Sequence, residues 1–158
     1  MPSSAPSSMT SQTETFQLSF PLPRSLDTRI YVHLTVRAKS VMIFLTTAAT
    51  EEMGTPPAMG SFVYALPDKF NPTQPISTPL FSIESSVDLT SRLARLFARK
   101  TGLPTYVGSS LSLSGAGLGG TVEEEMEAFR KVVEVVTERL QKSLCITNGV
   151  AEMTIGSS

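Results

Sequence analysis

Few residues in this chain have types and spacings that chemistry could use. Gly115, Gly117 and Gly120 satisfy G-x-G-x-x-G between a strand candidate and a helix. In dinucleotide sites that spacing lets the backbone approach a pyrophosphate at a helix N-terminus. The context argues against it here. No second strand follows the helix, so no βαβ unit closes, and Glu123, Glu124 and Glu125 crowd the helix start where phosphate would sit. A flexible linker over residues 114–120 is the better expectation. His33 and Cys145 are the only histidine and cysteine. A Cys–His pair can serve as nucleophile and base, but the pattern puts His33 mid-strand and Cys145 at the end of a helix stripe, where packing explains the thiol. One histidine and one cysteine are too few soft ligands for zinc. Gly108-Ser109-Ser110-Leu111-Ser112 is not G-x-S-x-G, and His33 precedes it. No catalytic residue, cofactor or metal ligand is therefore expected, and the chain reads as non-enzymatic. Arg92, Arg95, Arg99 and Lys100 flank one helix and are the expected protein-interaction residues, suited to an acidic surface or to plain solvation.

The elements around these residues centre on residues 29–49. Ile30, Val32, Leu34 and Val36 alternate with Tyr31, His33, Thr35 and Arg37, giving one apolar and one mixed strand face. Residues 41–45 are apolar throughout, as in a central strand covered on both faces. Arg37-Ala38-Lys39-Ser40 lacks the Asn-Gly signal of a tight turn, so a hairpin is expected with its register open. Phe16, Leu18 and Phe20 mark a half-buried strand ended by Pro21 and Pro23. Further strands are expected at 61–66, 80–84 and 104–113, with prolines 67, 72, 75 and 79 breaking the connector before the second of these.

Two helices follow. The first, over 88–101, has Leu89, Leu93, Leu96 and Phe97 on one stripe, Asp88 as N-cap and Gly102 at its end. The second opens with Thr121 and Glu124 in capping-box spacing. Its stripe is Val122, Met126, Phe129, Val132 or Val133, Val136, Leu140 and Leu144, and Asn148-Gly149 ends it. Glu127 with Lys131, and Glu138 with Lys142, are spaced for i,i+4 pairs. Strands do not alternate strictly with helices. The expectation is an α+β fold, a mostly antiparallel sheet flanked by two main helices.

With 158 residues the chain fits one domain plus tails. The expected division is a disordered tail over 1–13, a single domain over 14–146 and a flexible C-terminus over 147–158. A proline-rich loop at 50–79 and the glycine linker lie inside the domain. A net charge of −1 gives no reason to expect nucleic acid or a membrane as partner. The N-terminus has no secretory pattern and the single cysteine fits a reducing compartment, so a cytoplasmic or nuclear setting is expected.

At the two helices the sequence takes on a family likeness. Leu93-Ala94, Ala98-Arg99-Lys100-Thr101, Tyr106-Val107 and Glu124-Glu125-Met126-Glu127-Ala128-Phe129 resemble the proteasome assembly chaperone 4 family, in a fungal-type member. The likeness runs roughly over 29–129 and includes the apolar strand pair. It implies a small α+β chaperone subunit with no enzymatic activity and no cofactor. It further implies pairing with proteasome assembly chaperone 3 as a heterodimer that binds α-type subunits and guides α-ring assembly of the 20S core. Two other classes remain open: a dimeric adaptor or scaffold of another pathway, and a small nucleotide binder using the glycine loop. Co-purification separates the first from the chaperone reading, and a nucleotide titration tests the second.

Overall fold

The computed structural model describes residues 12–23, 25, 27–49, 58–111 and 122–155. Residues 1–11 of the expected 1–13 tail, the glycine linker, the capping Thr121 and residues 50–57 of the expected 50–79 loop lie outside the described residues. The elements in chain order are β1 (Glu14–Pro21), β2 (Thr28–Arg37), β3 (Ser40–Ala49), β4 (Ser61–Leu66), β5 (Ile76–Phe81), α1 (Val87–Thr101), β6 (Thr105–Ser110) and α2 (Val122–Ile155). They form the expected α+β fold. The sheet has six strands in the order β1-β2-β3-β6-β4-β5, and only the β3–β6 pair is parallel.

Strand parity decides which way the sheet faces. Phe16, Leu18 and Phe20 of β1 stand opposite Leu34, Val32 and Ile30 of β2. Leu34 and Val32 in turn stand opposite Ile43 and Leu45 of β3. Alternation therefore sends every one of these side chains to the same face. The β2–β3 hairpin is tight, with Arg37 opposite Ser40 and only Ala38 and Lys39 between them. Its register follows from the match of the two apolar sets, since a slip of one residue would turn one set out to solvent.

Both helices cover that face. Ile30, Leu34, Val41, Ile43, Val63 and Val107 of the sheet are fully buried with Leu93 and Phe97 of α1 and Val136 of α2, in one core. Between sheet and α2, the Arg139 guanidinium lies 4.0 Å from the centre of the Phe16 ring, and the Ser143 hydroxyl donates to the Glu14 carboxylate.

Several expectations are corrected. The fifth strand is Ile76–Phe81 rather than 80–84, and it contains Pro79. Proline is tolerated there because β5 is the outer strand and its register shifts opposite Phe62 and Val63, so no ladder hydrogen bond needs the missing amide. Helix α1 starts one residue earlier than expected, and Ser86, not Asp88, holds the N-cap position. The Ser86 hydroxyl makes no cap bond because it is engaged with Ser61, at 2.8 Å from its Oγ and 3.2 Å from its amide. Asp88 instead pairs with Arg92 at 3.1 Å. Gly102 ends α1 as expected, at φ 67° with its amide on the Ala98 carbonyl.

On α2 the buried stripe is Ala128, Val132, Val136 and Leu140. Val132 rather than Val133 points inward, Phe129 is only half-buried, and Val122 and Met126 are exposed. The first turn therefore overshoots the sheet it was expected to cover. Helix α2 also runs through Asn148-Gly149 to Ile155. Glycine within a helix costs about 1 kcal/mol, little enough for a helix of 34 residues to continue through it. Lys142 pairs with Glu138 at 3.1 Å as expected, whereas Lys131 takes Glu134 at 3.4 Å instead of Glu127.

Candidate functional site

Among the described residues no helix lies on the second face of the sheet. Parity places Thr15, Gln17 and Ser19 of β1 there, then Tyr31, His33 and Thr35 of β2, and Met42, Phe44 and Thr46 of β3. Beyond them come Tyr106, Gly108 and Ser110 of β6 and Phe62 and Tyr64 of β4. Backbone pairing arranges them in rows. One row runs Gln17, His33, Phe44, Gly108, Phe62, and the next runs Thr15, Thr35, Met42, Tyr106, Tyr64.

The aromatic side chains join across the rows. The Phe44 and Phe62 rings stack at 6.0 Å and 8°. Phe62 stacks on Tyr106 at 6.1 Å, and Tyr106 meets Tyr64 at 4.7 Å. Gly108 makes the first stack possible. A side chain there would place its Cβ 2.6 Å from Phe44 Cδ1, in the space the two rings now share. Beside this cluster a hollow of about 440 Å³ opens over Tyr31, His33, Phe44, Gly108 and Ser110, with Met59 at its rim. The strands carry no acid on this face, and their cations, Arg29 and Arg37, stand at the two ends of β2.

The residues singled out for chemistry do not assemble into a reacting site. His33 lies in the open sheet beside Phe44, and the Cys145 side chain lies outside the described residues. The Ser109 hydroxyl accepts from the Leu111 amide at 3.3 Å, and the Ser110 hydroxyl donates to Thr46 Oγ1 at 2.9 Å. Both serines therefore work as ties within the sheet. Among the described residues no three of His, Cys, Asp and Glu come together as a metal group, and no helix is long and apolar enough to cross a membrane.

The four cations of α1 divide. Arg92, Arg95 and Arg99 line one hollow on the helical side of the sheet, and Lys100 lies outside its lining. The open aromatic face was only half visible beforehand. Residues 41–45 read as a strand covered twice, yet Phe44 is 38% exposed and Met42 half-buried. The described residues supply one cover, the two helices, and none on the other side. The signal that locates this face is strand parity applied to Phe62, Tyr64 and Tyr106, whose ring types suit burial but whose alternate neighbours already face the core.

The comparisons with known proteins point one way. The family model for "Proteasome assembly chaperone 4" matches residues 29–111, more than half of the chain. No curated protein matches the sequence significantly. Among solved structures, a chain from the "Crystal Structure of a Novel Chaperone Complex for Yeast 20S Proteasome Assembly" shares the fold with a TM-score of 0.60. It is 15% identical, and the alignment covers 81% of this chain and 98% of that one.

Proposed function

We propose that this chain, which belongs to the proteasome assembly chaperone 4 family, acts in proteasome assembly as a subunit of a two-chain chaperone. Its bare aromatic sheet face receives the companion chain, proteasome assembly chaperone 3. The pair then holds α-type subunits while the α-ring of the 20S core forms, in the cytoplasm or nucleus, and leaves before the particle matures. The domain over 14–146 carries the pairing face, and Arg92, Arg95, Arg99 and Lys100 are the proposed contacts to the α-type subunits. Binding and release, with no covalent step, make up the whole activity.

The single observation that carries the pairing is the face from His33 to Phe62. A fully buried core of aromatic and methionine side chains with charge only at its ends is how protein interfaces are built. An apolar patch of this kind on a free chain marks an interaction site. Two sheets pack well face to face with their side chains interdigitated, and the hollow over Tyr31 and Gly108 leaves room for a side chain to enter. Electrostatics then supports division of labour: an uncharged face for the permanent companion, and a cationic helix flank for a target that must later be released.

The test is a tagged pull-down from growing cells, followed by mass spectrometry. The expected result is recovery of the companion chaperone and α-type subunits, with mature 20S particles absent. Expressed alone, the chain should self-associate or be poorly soluble. Co-expressed with its companion it should give a one-to-one complex. Recovery of neither the companion nor any α-type subunit would refute the reading.

A further inference from the structure

The loop between β4 and β5 carries the most exposed large apolar side chain among the described residues. Phe70 is 99% exposed. A solvated phenylalanine on a loose loop would mean little, but this loop is held by its own hydrogen bonds. The Phe70 amide donates to Asp68 Oδ1 at 2.9 Å, the Gln74 amide donates to the Asn71 carbonyl at 3.0 Å, and the Thr73 hydroxyl donates to Asn71 Oδ1 at 3.0 Å. A loop already fixed loses less conformational freedom when something docks on it. Aromatic side chains, phenylalanine among them, are enriched at protein interfaces relative to the rest of the surface.

The same loop forms one wall of the hollow of about 700 Å³ whose other wall is α1. Leu96, Phe129 and Ile76 supply apolar lining, and Arg92, Arg95 and Arg99 supply charge. At positions i, i+3 and i+7 the three arginines lie along one flank of the helix. They are not equally engaged. Arg92 is paired with Asp88, and Arg95 uses its Nε on the Ser91 carbonyl at 3.4 Å. Among the described residues neither Arg95 nor Arg99 makes an ion pair. Asp68 is the one acid in the lining, and its carboxylate accepts the Phe70 amide. Two guanidiniums with open donor edges beside a half-apolar floor fit carboxylates carried on a chain that also has apolar side chains.

We propose that this hollow takes an acidic segment of a partner polypeptide, with its carboxylates on Arg95 and Arg99, and that the segment continues over the loop wall onto Phe70, which stands on that wall outside the lining. The inference rests on the reading that the α1 flank faces the target. It adds Phe70, the held loop and the chemistry of what is bound. The hollow is built on the helical side of the sheet, so it stays available when the aromatic face is covered.

The experiment uses the full chain co-expressed with its companion and a short fluorescein-labelled peptide of glutamates interrupted by leucines, followed by anisotropy. A peptide with lysine in place of each glutamate is the comparison. The glutamate peptide should bind, and binding should weaken as salt is raised. Arg95→Glu with Arg99→Glu should weaken it by about tenfold or more. Phe70→Ser should weaken it about threefold or more with its salt dependence kept, because only the apolar contact is lost. Lys142→Glu, an exposed cation outside the hollow, should leave it unchanged. Equal binding of the two peptides, or wild-type binding by the arginine variant, would overturn the proposal. So would a single-stranded RNA that binds more tightly and displaces the peptide from these arginines. None of these results touches the chaperone reading, which is decided by recovery of the companion and α-type subunits.

Discussion

Replacing Phe44 by aspartate separates what the aromatic face does for the free chain from what it does for the pair. A fully buried phenylalanine side chain contributes about 1.5–3 kcal/mol. Phe44 keeps 38% of its surface exposed in the free chain. Covering the remainder is therefore worth only about 1 kcal/mol, and Phe44→Ala should weaken pairing by about fivefold. Phe44→Asp does more. In the free chain the carboxylate still reaches water from the open face. Under a companion it is shut in among Phe62, Tyr106 and Met42. Because His33 stands directly opposite, the comparison is made with His33→Gln in both chains, which leaves the nearest strand cations at the far ends of β2. An unpaired buried charge costs about 3 kcal/mol or more, which raises Kd by about a hundredfold or more. The free chain loses the Phe62 stack, about 0.5–1.5 kcal/mol, along with the buried part of the ring. Its melting midpoint should fall by about 5 °C, so titrations belong well below that temperature. Calorimetric titration of the variant into the companion chaperone, with circular dichroism to confirm folding, measures both effects. A folded Phe44→Asp variant that pairs with wild-type affinity would refute the assignment of this face.

Other expected outcomes follow from burial and backbone geometry. Phe97 is fully buried and Phe129 half-buried, so Phe97→Ala should cost about 3–5 kcal/mol and Phe129→Ala clearly less, measured by urea unfolding. Equal costs would mean the helix faces are wrongly assigned. Gly60→Ala would set a Cβ 2.0 Å from the Ser109 carbonyl oxygen, a backbone clash no rotamer can relieve. That variant should unfold or lose several degrees in Tm, whereas Gly102→Ala, with open space but φ at +67°, should cost about 1 kcal/mol. Calorimetry of the intact chain with ATP and NAD should show no binding, and micromolar affinity abolished by Gly117→Val would overturn the linker reading of the glycine loop.

The sequence made the repeating parts of the fold visible. Period-two alternation in residues 30–37 placed β2, and Leu93 with Phe97 set the inner face of α1. What escaped it depends on partners far away in the chain. Asp88 has the chemistry of an N-cap, and only the contact between Ser86 and Ser61 from β4 explains why the helix begins one residue sooner. Pro79 argues against a strand until its place on the outer edge of the sheet is known. Val122 and Met126 continue the helical period, yet they pass beyond the sheet, which no local pattern can reveal. The aromatic face was half legible for a related reason. The run at residues 41–45 announced two covers, and the described residues supply only one of them.

The parallel pairing of β3 with β6 has a consequence for how the protein comes into being. Thr46 and Ser110, hydrogen-bonded across that pair, are 64 residues apart. The strands β1 to β3 can form a meander as soon as they are made. Their neighbour β6 arrives only after β4, β5 and α1, and α2, which covers β1 and β2, is the last element in chain order. Distant pairings of this kind slow folding and prolong the exposure of apolar surface. During that interval neither face of the nascent three-stranded sheet has a helix on it, because α1 and α2 follow it in the chain. Aggregation during synthesis is thus a hazard for this chain, and it falls in the interval before α1 and α2 have been made.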